Sequence, residues 1–236
     1  MNCLADRVVA VTGAAGGLGP SVVRRLAADG ATIAAADIAA DGLQTVGTEL
    51  AFAPERWDVR ALDLLDERAT RAWAESVAAR FGRVDAVVHL VGGWRGEASI
   101  ADADPAEYEW LHDMLVRTLQ HSSRAFADLL ASSGRGRFVM VSSAQAQQPA
   151  AGNAAYAAAK AAAEAWTLAL GQELAEHGGT ANVVVVNAIL TSAMSEDNPD
   201  KPYSTFTSSE DIADAIAFLL TDSARMMNGQ RLALHG

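Results

Sequence analysis

Short apolar runs alternate with helical patterns along nearly the whole chain, and this alternation restricts the fold more than any other feature. Candidate strands fall at residues 7–12, 31–37, 57–63, 85–90, 137–142, 182–187 and 230–234, with helical patterns in most of the gaps. Continuously apolar runs are what strands covered on both faces require, and parallel strands need crossover connections that helices supply. The expectation is an α/β, doubly wound, seven-stranded parallel sheet with helices on both faces, forming a single domain over residues 1–236. Two helices declare their starts: Asp104 with Pro105 and Glu107, and Ser208 with Glu210 and Asp211, are N-cap signatures. The segment 192–207, with Pro199 and Pro202, is expected to be a mobile surface loop.

The first strand runs into Thr12-Gly13-Ala14-Ala15-Gly16-Gly17-Leu18-Gly19, and Pro20 suits the first turn of a helix. Glycines there permit a tight turn and close backbone approach, while the helix N-terminus offers free N–H groups to a pyrophosphate, as in a Rossmann dinucleotide site. The second strand ends at Asp37, near the spacing at which a carboxylate meets the adenosine ribose. A carboxylate accepts bonds from ribose hydroxyls and repels a 2′-phosphate. Gly16 and Ile38 provide no basic group to offset it, so the expected cofactor is NAD rather than NADP. Capping of the following turn is the competing role for Asp37, and Asp63, at the end of the third strand, either meets the adenine edge or caps its turn. Gly92 and Gly93 after the fourth strand allow backbone to lie close to a ligand.

Composition narrows the function. A formal net charge of −11 lacks the clustered Lys and Arg that nucleic-acid binding needs. Cys3 is the only cysteine, so no internal disulfide can form and a reducing, cytoplasmic location is expected. Cys3 itself is read as a small apolar side chain. The apolar run at residues 8–11 is too short for a signal peptide, and nothing approaches a membrane span. The five histidines, His89, His112, His121, His177 and His235, have no ligand spacing, so no metal site is expected. His89 is read as a buried, hydrogen-bonded side chain.

Tyr156 and Lys160 stand four residues apart in an alanine-rich helical run, which places phenol and ammonium on one helix face. Ser142 and Ser143 close the apolar run at residues 138–141. Ser143, Tyr156 and Lys160 are expected to meet at the end of that strand and move a proton. A nearby cation favours a phenolate, so Lys160 is expected to bring the Tyr156 pKa down from about 10 toward working pH.

The ordered set Thr12-Gly13, Gly17, Gly19, Asp37, Asp63, Gly92, Ser143, Tyr156, Lys160, Thr191 and Asn228-Gly229-Gln230 resembles the short-chain dehydrogenase/reductase family, of the compact type exemplified by 3-ketoacyl reductases. The resemblance implies an NAD-dependent oxidoreductase interconverting a secondary alcohol and a ketone. Tyr156 would be the acid or base, Ser143 would bond the substrate oxygen, and Lys160 would hold the nicotinamide ribose. Gly13, Gly17, Leu18, Gly19, Asp37, Asp63, Gly92, Tyr156, Lys160 and Thr191 would bind cofactor. It also implies a homo-oligomer, tetramer or dimer, through the long helices at 105–132 and 153–177. Trp94, Gln145, Met194 and Tyr203 are expected to line the substrate pocket.

Departures accompany the match. His89, Leu90 and Val91 replace the family's two asparagines and alanine, and Val186 and Asn187 replace a proline and glycine. The position of the catalytic asparagine falls on Leu115, or on Arg117 after a two-residue shift; leucine cannot hold the water of the family's proton relay. Two rivals follow: a catalytically weak NAD-binding sensor or scaffold, and a lyase or epimerase like the family's extended relatives.

Overall fold

The computed structural model describes residues 3–50, 52–96 and 98–234; His235 lies outside them. Seven strands form one parallel sheet: β1 (Val8–Thr12), β2 (Thr32–Asp37), β3 (Trp57–Ala61), β4 (Ala86–His89), β5 (Arg137–Ser143), β6 (Thr180–Val186) and β9 (Arg231–Ala233). Their order is β3-β2-β1-β4-β5-β6-β9, so the chain reverses direction across the sheet between β1 and β4. All seven expected strands are present, each end within about two residues of its expected place. A ligand crevice belongs outside the carboxyl ends, where connections leave β1 and β4 in opposite directions.

Side chains alternate between two cores. Val9, Val11, Ile33, Val88 and Val184 pack toward α1 (Gly19–Ala28), α2 (Ala40–Glu49) and α8 (Ser209–Leu219). Ala10, Ala34, Val87, Phe138 and Val185 pack toward α3 (Glu67–Phe81), α5 (Thr118–Ser132) and α6 (Ala154–Ala175). The Trp73 ring meets Phe126 edge-on with centroids 5.1 Å apart in the second core. At the amino end of the sheet the fully buried Asp85 carboxylate accepts from the Val8 amide, Ser133 Oγ, Arg83 and Arg135. Those bonds outweigh its burial and hold it below the usual carboxylate range.

Both N-cap signatures hold: Asp104 Oδ1 accepts from Ala106 N and Ser208 Oγ from Asp211 N, opening α4 (Pro105–His112) and α8. Three expectations need correction. The long helix is interrupted by a π-helical turn at Asp113–Arg117, where the Thr118 amide bonds Asp113 O. The supposed loop at 192–207 carries structure: α7 (Ser192–Asp197), and β8 (Phe206–Ser208) pairing with β7 (Ala188–Leu190) in a separate two-stranded sheet. The apolar pair Ile189 and Leu190 gives that small sheet a partly buried strand, a signal too short to register as a period. Cys3 is exposed instead of packed.

Candidate active site

At the carboxyl ends of the strands lies a cavity of about 900 Å³, lined in common by the glycine turn, Asp37, Asp63, Ser143, Tyr156, Lys160 and Thr191. Residues spread over most of the chain thus meet in one crevice at the switch point between β1 and β4.

The glycine turn is built to keep backbone close to backbone. Gly13 sits at φ +72°, and a Cβ there would lie 2.9 Å from Leu90 C and Val91 N. At Gly19 a Cβ would come within 2.2 Å of Ala14 O. Gly19 does not line the cavity; its role is to let α1 begin against the turn. Gly17, by contrast, faces only Thr191 Cγ2, at 3.4 Å, so its missing side chain leaves the passage open. Asp37 Oδ2 accepts from the Ala15 amide at 2.9 Å and Oδ1 from the Ala39 amide at 2.9 Å. The carboxylate thereby ties the turn to the end of β2 while remaining in the cavity wall. Asp63 caps its turn, Oδ1 accepting from the Leu65 amide, and also lines the cavity. Thr191 Oγ1 accepts from Met194 N and caps α7.

At the other end, Ser143 Oγ accepts from the Gln145 amide at 3.3 Å, a local turn that holds the hydroxyl at the strand end. Tyr156 projects from the first turn of α6 toward Ser143. Burial pushes its phenol above the ordinary value, and the Ser143 hydroxyl offsets this only in part. That overturns the expectation of a phenol brought down by Lys160. The Lys160 ammonium lies 6.0 Å from the Tyr156 ring centroid and donates to Val141 O at 3.0 Å. Burial lowers Lys160 itself to about 8, against the opposing pull of Glu164 one turn along the helix. Glu164, 1 % exposed, accepts from Arg231 Nε at 2.5 Å and from Gln147 Nε2. Neither Glu164 nor its partners carried any motif in the sequence.

Leu115 is 2 % exposed and packs with Leu111, Val116 and Ala159 against Tyr156. Arg117 points elsewhere, pairing with Asp113 at 3.0 Å, so the shifted register does not supply a polar group here. What stands nearby is a chain of polar groups. Thr12 Oγ1 is 2.9 Å from His89 Nδ1, and His89 Nε2 is 3.5 Å from Thr118 Oγ1. Thr118 Oγ1 gives its proton to Met114 O at 2.6 Å, while the Thr118 amide bonds Asp113 O. Nε2 must therefore be the donor, which fixes a neutral imidazole accepting from Thr12 at Nδ1. Burial, reinforced by the Lys160 charge, drives His89 down to about 3, in keeping with that neutral form. His89 thus links β1 and β4 to the π turn.

Trp94, Gln145 and Met194 line the cavity as expected, joined by Trp110 from α4 and by Asp113 and Met114 from the π turn, which carry no sequence motif. Tyr203 does not: its hydroxyl donates to Met194 O at 2.8 Å and its ring packs on Phe206, supporting the segment from behind.

The cleft suits a nicotinamide dinucleotide: a glycine-lined passage at one end and the buried, unpartnered Ser142 Oγ at the other, both in the cavity wall. Fold and cleft together define a dinucleotide-dependent oxidoreductase. The family model for short chain dehydrogenases matches residues 7–202, and the chain belongs to the short-chain dehydrogenase/reductase family. It is 29 % identical over 240 residues to acetoacetyl-CoA reductase of Allochromatium vinosum, covering 98 % of this chain and 97 % of that protein. It is 28 % identical over 241 residues to 3-oxoacyl-[acyl-carrier-protein] reductase FabG of Escherichia coli, covering 98 % and 96 %. Among solved structures, levodione reductase superposes with a TM-score of 0.88 at 25 % identity over 99 % of this chain and 97 % of its own. Among the described residues, no helix is long and apolar enough to cross a membrane and no three His, Cys, Asp or Glu side chains converge as a metal cage.

Proposed function

We propose that the protein is an NAD-dependent oxidoreductase that interconverts a secondary alcohol and a ketone, with Tyr156 as acid and base. The observation carrying this reading is the meeting of Ser143, Tyr156 and Lys160 in the wall that also holds the glycine turn and Asp37. The names of the two curated relatives, both reductases of 3-oxo thioesters, support the reaction class.

Gly13, Gly17, Leu18, Gly92 and Thr191 would hold the dinucleotide by backbone and methyl contacts, with Asp63 beside the adenine and Lys160 at the nicotinamide ribose. Asp37 favours NAD: its carboxylate would accept ribose hydroxyls, and the cavity residues on either side, Gly16, Gly17 and Ile38, bring no cation for a 2′-phosphate. The nicotinamide, when bound, supplies the hydride. The chain's own part is to orient the substrate oxygen and handle the proton. Ser143, whose oxygen already accepts from Gln145 N, has its proton free to donate to that oxygen. Tyr156, held protonated by burial, would donate its phenolic proton to the same oxygen in reduction and take a proton back in oxidation. Lys160 then stands behind Tyr156 as the buried cation with a proton to return. A homo-oligomer through α5 and α6 is part of the same proposal; Trp166, partly exposed on α6 and bonded to Ser123 Oγ of α5, lies on that face.

The packing of Leu115 against Tyr156 favours a second reading, a weakly active NAD-binding protein. A panel of ketones with NADH, followed by cofactor absorbance, separates the two. Reduction that falls at least about a hundredfold in Tyr156→Phe supports the oxidoreductase, general acids contributing about 10²–10⁴-fold. Equal rates in the variant would remove Tyr156, and cofactor binding without turnover of any ketone would favour the sensor.

A further inference from the structure

In the half of the cavity beyond Tyr156, almost every polar group already has a partner within the chain. Trp94 Nε1 donates to Asn153 Oδ1 at 3.2 Å. The Asp113 carboxylate is paired with Arg117 at 3.0 Å. The Arg95 guanidinium covers the Trp110 ring, 3.8 Å from its centroid. Met194 O is taken by the Tyr203 hydroxyl. What remains toward the cavity is flat and apolar: the two indoles and the thioethers of Met114 and Met194.

The exceptions are Ser142 Oγ and Gln145. The Gln145 carboxamide oxygen is buried with no partner, and among the described residues no hydrogen bond reaches either end of that amide. An amide left unpaired in a buried wall is costly, so a protein keeps one where a ligand completes it. The residue is also held in register with the reacting centre, because its backbone amide donates to Ser143 Oγ. Gln145 therefore sits two residues from the group that would bond the substrate oxygen, and among the described residues it offers the one buried, unpaired carboxamide around an apolar slot.

Resting on the oxidoreductase reading, we infer that the substrate is a ring ketone, or its alcohol, carrying one further hydroxyl or oxo group, and that Gln145 reads that second group. Flat walls fixed by Asn153 and Arg95 suit a rigid ring, which loses no internal freedom on binding. A flexible polyol would leave several hydroxyls against indole and thioether, each without a partner.

Binding can be read without turnover by calorimetric titration of the Tyr156→Phe protein saturated with NADH. We expect 4-hydroxycyclohexanone to bind roughly tenfold more tightly than cyclohexanone, the gain of about one good hydrogen bond, and 2-hexanone to bind roughly tenfold more weakly than cyclohexanone. Adding Gln145→Leu should abolish the first ratio. The inference is overturned if the ratio survives in Gln145→Leu, if 2-hexanone or dihydroxyacetone binds as tightly as the rings, or if no ring ketone binds. Ring ketones that bind in the expected order but are never reduced by the unmodified protein would sink the oxidoreductase reading and leave standing only the recognition of the second group by Gln145. Reduction of open-chain ketones with no dependence on Gln145 would do the reverse.

Discussion

The two ends of the cavity hold their ligand-facing groups in opposite ways. At the glycine end the geometry is made by backbone: Gly13 at φ +72°, Gly19 against Ala14 O, and an Asp37 carboxylate tied to two amides. At the tyrosine end it is made by buried side chains with shifted ionisation: a raised phenol, a lysine near 8 and a neutral histidine. Backbone geometry depends on the few residues that adopt it, whereas a buried ionisable group depends on everything packed around it. The first end should break by steric insertion and the second by changes of pH or of neighbouring polarity.

The largest effect expected from this contrast is at Gly19. In Gly19→Ala the added methyl would meet Ala14 O at 2.2 Å, so the turn must move. A loss of about 1–3 kcal/mol in denaturant unfolding is expected, together with loss of the thermal stabilisation that NAD confers by mass action. A variant with unchanged NAD response would show that the turn tolerates expansion and that close backbone contact is not what shapes this end.

Next in size is Asp37→Ala. Removing the carboxylate should erase the preference for NAD over NADP, a change of roughly tenfold or more in relative affinity, read by thermal shift with each cofactor at equal concentration. If NADP already stabilises the unmodified protein more than NAD, the ribose argument is wrong from the outset. Because Asp37 also accepts from Ala15 and Ala39, a small fall in stability should accompany the switch.

An effect invisible at neutral pH belongs to His89. Its folded value near 3 lies below the ordinary value of 6.5, so the unfolded chain binds the proton more readily. Stability conferred by the neutral form is fully present above about pH 6.5 and is lost as pH falls toward 3, at no more than about 1.4 kcal/mol per pH unit. His89→Asn should flatten that part of the denaturation profile without altering the profile above pH 7. An identical acid limb in both proteins would mean that His89 is not held neutral.

Hydrophobic runs and glycine spacing made the sheet, the glycine turn and Asp37 readable, since periodicity and spacing are local properties. The Ser143, Tyr156 and Lys160 set was also legible, as two residues on one helix face and one at a strand end. Their ionisation was not. Sequence suggested that Lys160 would lower Tyr156, but the ammonium is turned to Val141 O and burial prevails. The π turn at Asp113–Arg117 was equally hidden, because it depends on Thr118 bonding Met114 O with its hydroxyl while its amide reaches Asp113 O. Asp113 and Met114 of that turn line the cavity beside Trp110 of α4, and Leu115 packs against Tyr156.

By itself, then, the sequence determined the order of elements, the sheet they form and the backbone-made half of the cleft, because those follow from φ preferences and side-chain periods a few residues long. The tertiary structure alone decided which groups are charged beside Tyr156, which amide is left without a partner, and that His89 joins two strands to a helix. These depend on desolvation and on contacts between residues far apart in the chain, which no local pattern encodes.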